Sequence, residues 1–195
     1  MSKQSRVRAK LRGALEAPTI HRIFRSPKSS DPTEGFVVRM GKKWVLVAQK
    51  MDGGYPDGLI AVRISDVVSV RGQGQSFETK FALTQPRRDP KELATIKLDH
   101  TADVIETMAA LSKLVAVEQE RKVTSAKWIG TFAGREGKWF WLWEVRPDAT
   151  WHPRPLAYRL KNVTTVSIDD HYLTALSLVA GKQPSKPKPP PRRRS

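Results

Sequence analysis

No cysteine occurs among the 195 residues, which excludes disulfides, thiol nucleophiles and cysteine-ligated zinc together and fits a reducing compartment. Long apolar runs are missing too: the densest, Trp139 to Trp143, is stopped by Glu144, and no apolar stretch follows the basic N-terminus. No signal peptide or membrane span is therefore expected, and the expected location is cytoplasmic. The run Gly72-Gln-Gly74-Gln-Ser-Phe77 lacks the spacing of a glycine-rich phosphate loop, and there is no Walker A sequence. His21, His100, His152 and His171 stand in unrelated contexts without metal-ligand spacing, so neither metal nor cofactor is expected. Asp169-Asp170 reads as a helix cap rather than as paired catalytic carboxylates, and with no nucleophile beside a base the chain is not expected to be an enzyme.

Positive charge is abundant, with a formal net charge of +16, and its placement is uneven. Residues 1–13 hold Lys3, Arg6, Arg8, Lys10 and Arg12 and no acid, and residues 182–195 hold Lys182, Lys186, Lys188, Arg192, Arg193 and Arg194, again with no acid. Residues 14–181 keep 24 basic against 19 acidic side chains, so two thirds of the excess lies at the two ends. Dense cationic ends of this kind point to a polyanionic partner.

The middle of the chain states one pattern twice, about 95 residues apart. Gly35-Phe36-Val37-Val38, Trp44-Val45-Leu46-Val47, Ile60-Ala61-Val62-Arg63-Ile64, Val67 and Val70 return as Gly130-Thr131-Phe132-Ala133, Trp139-Phe140-Trp141-Leu142, Leu156-Ala157-Tyr158-Arg159-Leu160, Val163 and Val166. The second copy is one residue longer in the loop after its tryptophan strand, where a duplication tolerates a slip that a strand would not.

Each copy reads as five short strands. In the first they fall near 19–24, 36–40, 44–50, 59–64 and 67–71, and residues 76–84 close the copy as a short helix. The Pro-rich stretch 85–98 is expected as a linker. A helix from Thr101, with Val104, Met108 and Leu111 on one face, then opens the second copy. Its strands are expected at 114–117, 128–132, 138–145, 156–160 and 164–168, before a last helix that ends at Gly181. Residues 1–18 are expected as a basic tail, as a short helix or disordered, and residues 182–195 as an extended Pro/Lys/Arg-rich tail. The expected class is mainly β with short helices (α+β): two tandem five-stranded small barrels, residues 19–84 and 99–181.

The patterns Gly35-Phe-Val-Val-x5-Trp44-Val-Leu-Val with Ala61-Val-Arg-Ile-Ser-Asp-Val67, and Ile129-Gly130 with Asp148-Ala-Thr-Trp151 and Tyr158-Arg-Leu-Lys-Asn-Val163-Thr-Thr-Val166, resemble the Sm-like or SH3-like small barrels of bacterial proteins. That resemblance implies binding of RNA, DNA or another protein. The uridine-binding motifs of the Sm family are not matched: no Met-Asn pair occurs, and Arg71-Gly72 has Ser167-Ile168 in its place in the second copy.

Three sets of residues are candidates for contact with a partner. Strand alternation puts Trp139, Trp141 and Trp143 on one face, beside Arg135 and Lys138, as a platform on which bases could stack; the alternative is that this face packs one copy against the other. The hairpins at Lys42-Lys43 and Arg135 to Lys138 place cations at equivalent turns, either to touch phosphates or as ordinary solvated turns. The ends contribute Arg6, Arg8, Lys10, Arg12, Arg192, Arg193 and Arg194. Arg63 and Arg159, at matching strand ends, read first as structural hydrogen-bond donors. The expected function is sequence-independent binding of RNA or single-stranded DNA, with a protein-interaction scaffold as the alternative.

Overall fold

The structure, a computed structural model, describes residues 2–26 and 31–185. Helix α1 (Lys3–Glu16) leads into strands β1 (His21–Arg25), β2 (Thr33–Met40), β3 (Trp44–Lys50), β4 (Pro56–Arg63) and β5 (Val67–Gly72). Helices α2 (Phe77–Thr84), α3 (Pro90–Thr95) and α4 (Thr101–Ala109) follow. Strands β6 (Val115–Glu118), β7 (Lys127–Glu136), β8 (Trp139–Glu144), β9 (Leu156–Arg159) and β10 (Thr165–Ile168) and helix α5 (His171–Ala180) complete the described chain.

The α+β class is as expected, but the strands do not separate into two closed barrels. All ten form one antiparallel, open sheet in the order β5-β1-β2-β3-β4-β10-β6-β7-β8-β9. Each half contributes its strands in the same internal order, its last strand beside its first, and the two halves meet where β10 pairs with β4. Registers repeat as well. Trp44 opposite Arg63 in the first half becomes Trp139 opposite Arg159 in the second, and the irregularity between Val37 and Arg39 returns between Phe132 and Gly134. The glycine at the head of each pattern is explained by close approach: a Cβ on Gly35 would lie 2.0 Å from the Ala48 carbonyl oxygen, and one on Gly130 would lie 2.2 Å from that of Trp143.

Two segments expected outside the core belong to it. Ser2 caps α1 by accepting a hydrogen bond from the Ser5 amide, and Val7, Leu11 and Ala14, spaced i, i+4 and i+7, are buried with Val45, Val47 and Val70. Residues 85–98 are likewise no free linker. Ile96 and Leu98 are buried in the cluster that also holds Trp44, Leu46, Met108, Phe140 and Leu142. That cluster crosses from one half to the other, so the halves share a core. Each repeat is too small to bury all of its apolar strand faces by itself.

Candidate nucleic-acid interface

Helix α1 turns three apolar residues toward the sheet and sends Lys3, Arg6, Lys10 and Arg12 outward as exposed side chains. No acidic residue lies in its first turn, so Lys3 and Arg6 stand at the positive end of the helix dipole. Such a placement costs a few tenths of a kcal/mol per charge, which an anionic ligand would offset. No ion pair joins these four cations to a carboxylate among the described residues. Arg8 is half-buried, and its guanidinium donates to the Lys42 carbonyl, which fixes α1 beside the β2–β3 turn.

That turn is built to hold its lysines in solvent. The Gly41 amide donates to the Trp44 carbonyl at 2.8 Å, the Lys42 amide to the Asp99 carboxylate at 2.8 Å, and the Lys43 and Trp44 amides to the Leu98 carbonyl at 3.4 and 3.1 Å. A Cβ on Gly41 would sit 2.5 Å from Leu98, so only glycine fits. With the backbone tied inward, the side chains of Lys42 and Lys43 are both exposed.

The equivalent turn of the second half is different. Arg135 pairs with Asp103 at 3.2 Å and Glu106 at 3.1 Å, both on α4, so its charge is already balanced. Lys138 is exposed. The tryptophan row is also shorter than strand alternation suggests. Trp143 is buried at 3 % exposure and its indole N–H donates to the His152 carbonyl at 2.6 Å, which leaves no face for a base. Trp139 and Trp141 are half-exposed, and the Arg159 guanidinium lies 4.7 Å from the Trp139 ring centroid. Beside Trp139 and Arg159, the residues Trp128, Tyr158, Lys122 and Val123 complete a cleft of about 300 Å³. The structure thus joins α1 to the Lys42-Lys43 turn, and the tryptophan strand forms a separate aromatic surface with Arg159, Lys122 and Lys138 around it. Arg192, Arg193 and Arg194 lie outside the described residues.

The remaining titratable groups are engaged locally. Burial lowers the pKa of His21, whose Nδ1 lies 2.9 Å from the Thr19 carbonyl oxygen. The Asp57 carboxylate, 2.8 Å from His171 Nδ1, raises that of His171. Asp170 caps α5 by accepting from the Leu173 amide at 2.7 Å. Among the described residues no group of three His, Asp or Glu side chains could hold a metal ion, and no helix is long and apolar enough to cross a membrane.

The docking of α1, which composition alone does not suggest, has two signals in the chain. The Val7, Leu11, Ala14 spacing marks a packed helix, and five cations against the single acid Glu16 mark an outer face with excess positive charge. The contact between Arg8 and Lys42, 34 positions apart, has no local signature. No family model, curated protein or solved structure matches the chain.

Proposed function

We propose that this protein is a non-enzymatic nucleic-acid-binding protein that grips phosphates through the outer face of α1 and the adjoining Lys42-Lys43 turn. The observation that carries this reading is the juxtaposition itself: Lys3, Arg6, Lys10 and Arg12, outward and without carboxylate partners among the described residues, on a helix whose Arg8 is tied to the Lys42 carbonyl. Cations fixed on a rigid scaffold neutralise phosphates and release counterions without reading bases, so binding is sequence-independent and weakens as salt rises. The repeated strand order of the two halves supports a tandem of Sm-like or SH3-like units, a class of fold that serves such binding. Arg192, Arg193 and Arg194 add charge to the same polyanion.

The test is equilibrium binding of single-stranded RNA, single-stranded DNA and duplex DNA at several salt concentrations. The full chain is compared with a variant carrying Lys3→Gln, Arg6→Gln, Lys10→Gln and Arg12→Gln. Binding by the wild type, with a shallower salt slope in the variant, supports the reading. No binding of any of the three polymers near physiological salt ends it.

A further inference from the structure

A cavity of about 870 Å³ lies on the margin of the shared core. Val38 on β2, Ala48 on β3 and Leu59 on β4 form its floor, and Leu15 at the end of α1 and Leu93 on α3 also line it. Small-molecule sites span about 300–1,000 Å³ and are mostly apolar with a few polar groups, and this cavity has both properties.

The two halves of the sheet differ at this point. Phe36 stands opposite Ala48 in the first half as Thr131 stands opposite Trp143 in the second. In the second half the indole of Trp143 is buried, fixed by its hydrogen bond to the His152 carbonyl, and the space between the end of α4 and Thr131 is about 310 Å³. In the first half Ala48 offers only a methyl group. The large side chain is on the neighbouring strand instead, where Phe36 is half-buried with the Arg87 guanidinium 5.3 Å from its ring centroid.

The walls stand in place without a ligand. The Arg39 guanidinium donates to the Leu93 carbonyl and, at 2.7 Å, to that of Ile96, which fixes α3. Asp89 caps α3 by accepting from the Lys91 amide at 2.8 Å, and Pro86 and Pro90 restrict the backbone before it. Arg88 pairs with Asp169, which also accepts from the Ser112 hydroxyl. A preformed site leaves little ordering for a ligand to impose.

The charged groups of the lining select what enters. Lys50 is engaged by Glu34 at 3.0 Å and Glu78 at 2.9 Å, and Arg88 by Asp169 and, at 3.5 Å, by Glu92. Glu16, the other lining carboxylate besides Asp169, is exposed at the end of α1. Arg87 is exposed and pairs with no carboxylate among the described residues. Arg88 Nη1, closed off from solvent, has no acceptor among them. One unbalanced cation and one unused donor beside an apolar floor match a single carboxylate on an apolar body. The second charge of a phosphate dianion would find no cation left over.

We propose that this cavity binds a medium-chain monocarboxylate, its chain against Val38, Ala48 and Leu59 and its carboxylate at Arg87. A small turn of the Arg88 guanidinium gives Nη1 the acceptor it lacks. The site uses none of Lys3, Arg6, Lys10 and Arg12 and is independent of nucleic-acid binding.

The test is isothermal titration calorimetry of the nuclease-treated full chain with decanoate, and with decanol as the uncharged probe of the same length. The wild type is expected to bind one decanoate, and decanol at least about tenfold more weakly. Arg87→Ala, an exposed substitution, should weaken decanoate binding about tenfold by removing a charge-assisted hydrogen bond. Ala48→Leu puts volume where the second half has Trp143 and should weaken it at least as much; circular dichroism checks that both variants are folded. The variant with glutamine at positions 3, 6, 10 and 12 should bind decanoate like wild type, which separates the cavity from adsorption to the cationic helix. No decanoate binding up to its micelle concentration overturns the proposal. So does decanol binding as tight as decanoate binding, wild-type affinity in Arg87→Ala or in folded Ala48→Leu, or loss of binding in the glutamine variant.

Discussion

Arg25 Nη1 lies 2.8 Å from Glu120 Oε2, with both side chains buried and 95 positions apart in the chain. The pair ties the end of β1 to the loop after β6, and Arg121 with Asp66 forms a second ion pair between the halves. Burial pushes the Glu120 carboxyl up to about 7, and the guanidinium of Arg25 opposes that rise. Removing one partner strands the other in the interior. Arg25→Met or Glu120→Leu alone is expected to cost about 3 kcal/mol or more, and the double variant much less than the sum, as read by urea denaturation.

Helix α1 is part of the fold rather than a tail. Leu11 is fully buried, so Leu11→Ala should lower stability by about 2 to 4 kcal/mol, whereas Lys10→Ala on the outer face should leave it within about 0.5 kcal/mol. Thermal unfolding of the two variants checks the contrast; equal effects would mean that α1 does not dock.

Gly35→Ala and Gly130→Ala should each destabilise strongly, because the added methyl meets a carbonyl of the neighbouring strand, Ala48 or Trp143, rather than a side chain that can move. Gly137→Ala is the comparison: no atom lies within 4 Å, so only its positive φ of 55° is strained. Its expected cost is smaller, about 1 kcal/mol. Denaturant midpoints of the three variants rank them.

Glu144 gives the fold a pH dependence. Burial pushes its carboxyl up to about 7, against the pull of Arg146, and Tyr158 donates its hydroxyl to it. Since the folded pKa lies above the unfolded value, the native state holds a proton that the unfolded chain has released. The resulting stability is complete below about pH 4.5 and is lost as pH rises through about 7. Glu144→Gln, which keeps the shape without the ionisation, should match wild type near pH 5 and exceed it at pH 8 by about 1 to 2 kcal/mol. Denaturant midpoints at the two pH values decide it, and a constant difference between the proteins rejects the assignment.

The cationic surface predicts a graded salt effect. Each phosphate-neutralising cation removed from α1 should reduce the slope of log affinity against log salt by about 0.7 to 0.9, so Lys10→Gln with Arg12→Gln should lower it by nearly twice that amount. Trp143→Phe should not change nucleic-acid binding at all, because its ring is buried. Fluorescence anisotropy at four or five salt concentrations separates the two outcomes.

Much of the strand pattern can be read directly. Trp44–Lys50 and the runs around Ala61 and Val166 are short apolar, β-branched stretches, bounded by turn residues, that make strands buried on both faces, and Gly181, at a φ of 65°, ends α5 as a C-terminal glycine does. What local pattern cannot supply is the partner of an edge. Short apolar strands satisfy a barrel and an open sheet equally, and the choice was made by β4 accepting β10 instead of its own copy's β5. The same long-range pairing buried Ile96 and Leu98 in a stretch whose prolines suggest a linker.

Duplication, the absence of thiol chemistry and the uneven charge were determined by the sequence itself, because each is a property of residue type and order alone. Only the tertiary structure decided which cations remain free, since Arg135 is neutralised by Asp103 and Glu106 while the outer residues of α1 meet no acid among the described residues. It likewise decided which of two equivalent tryptophans is covered. Trp44 and Trp139 occupy the same place in their copies, but only Trp44 has the other half of the chain packed over it. The reason is physical: local sequence sets a residue's side of a strand, whereas burial and charge balance depend on what the far parts of the chain bring to that side.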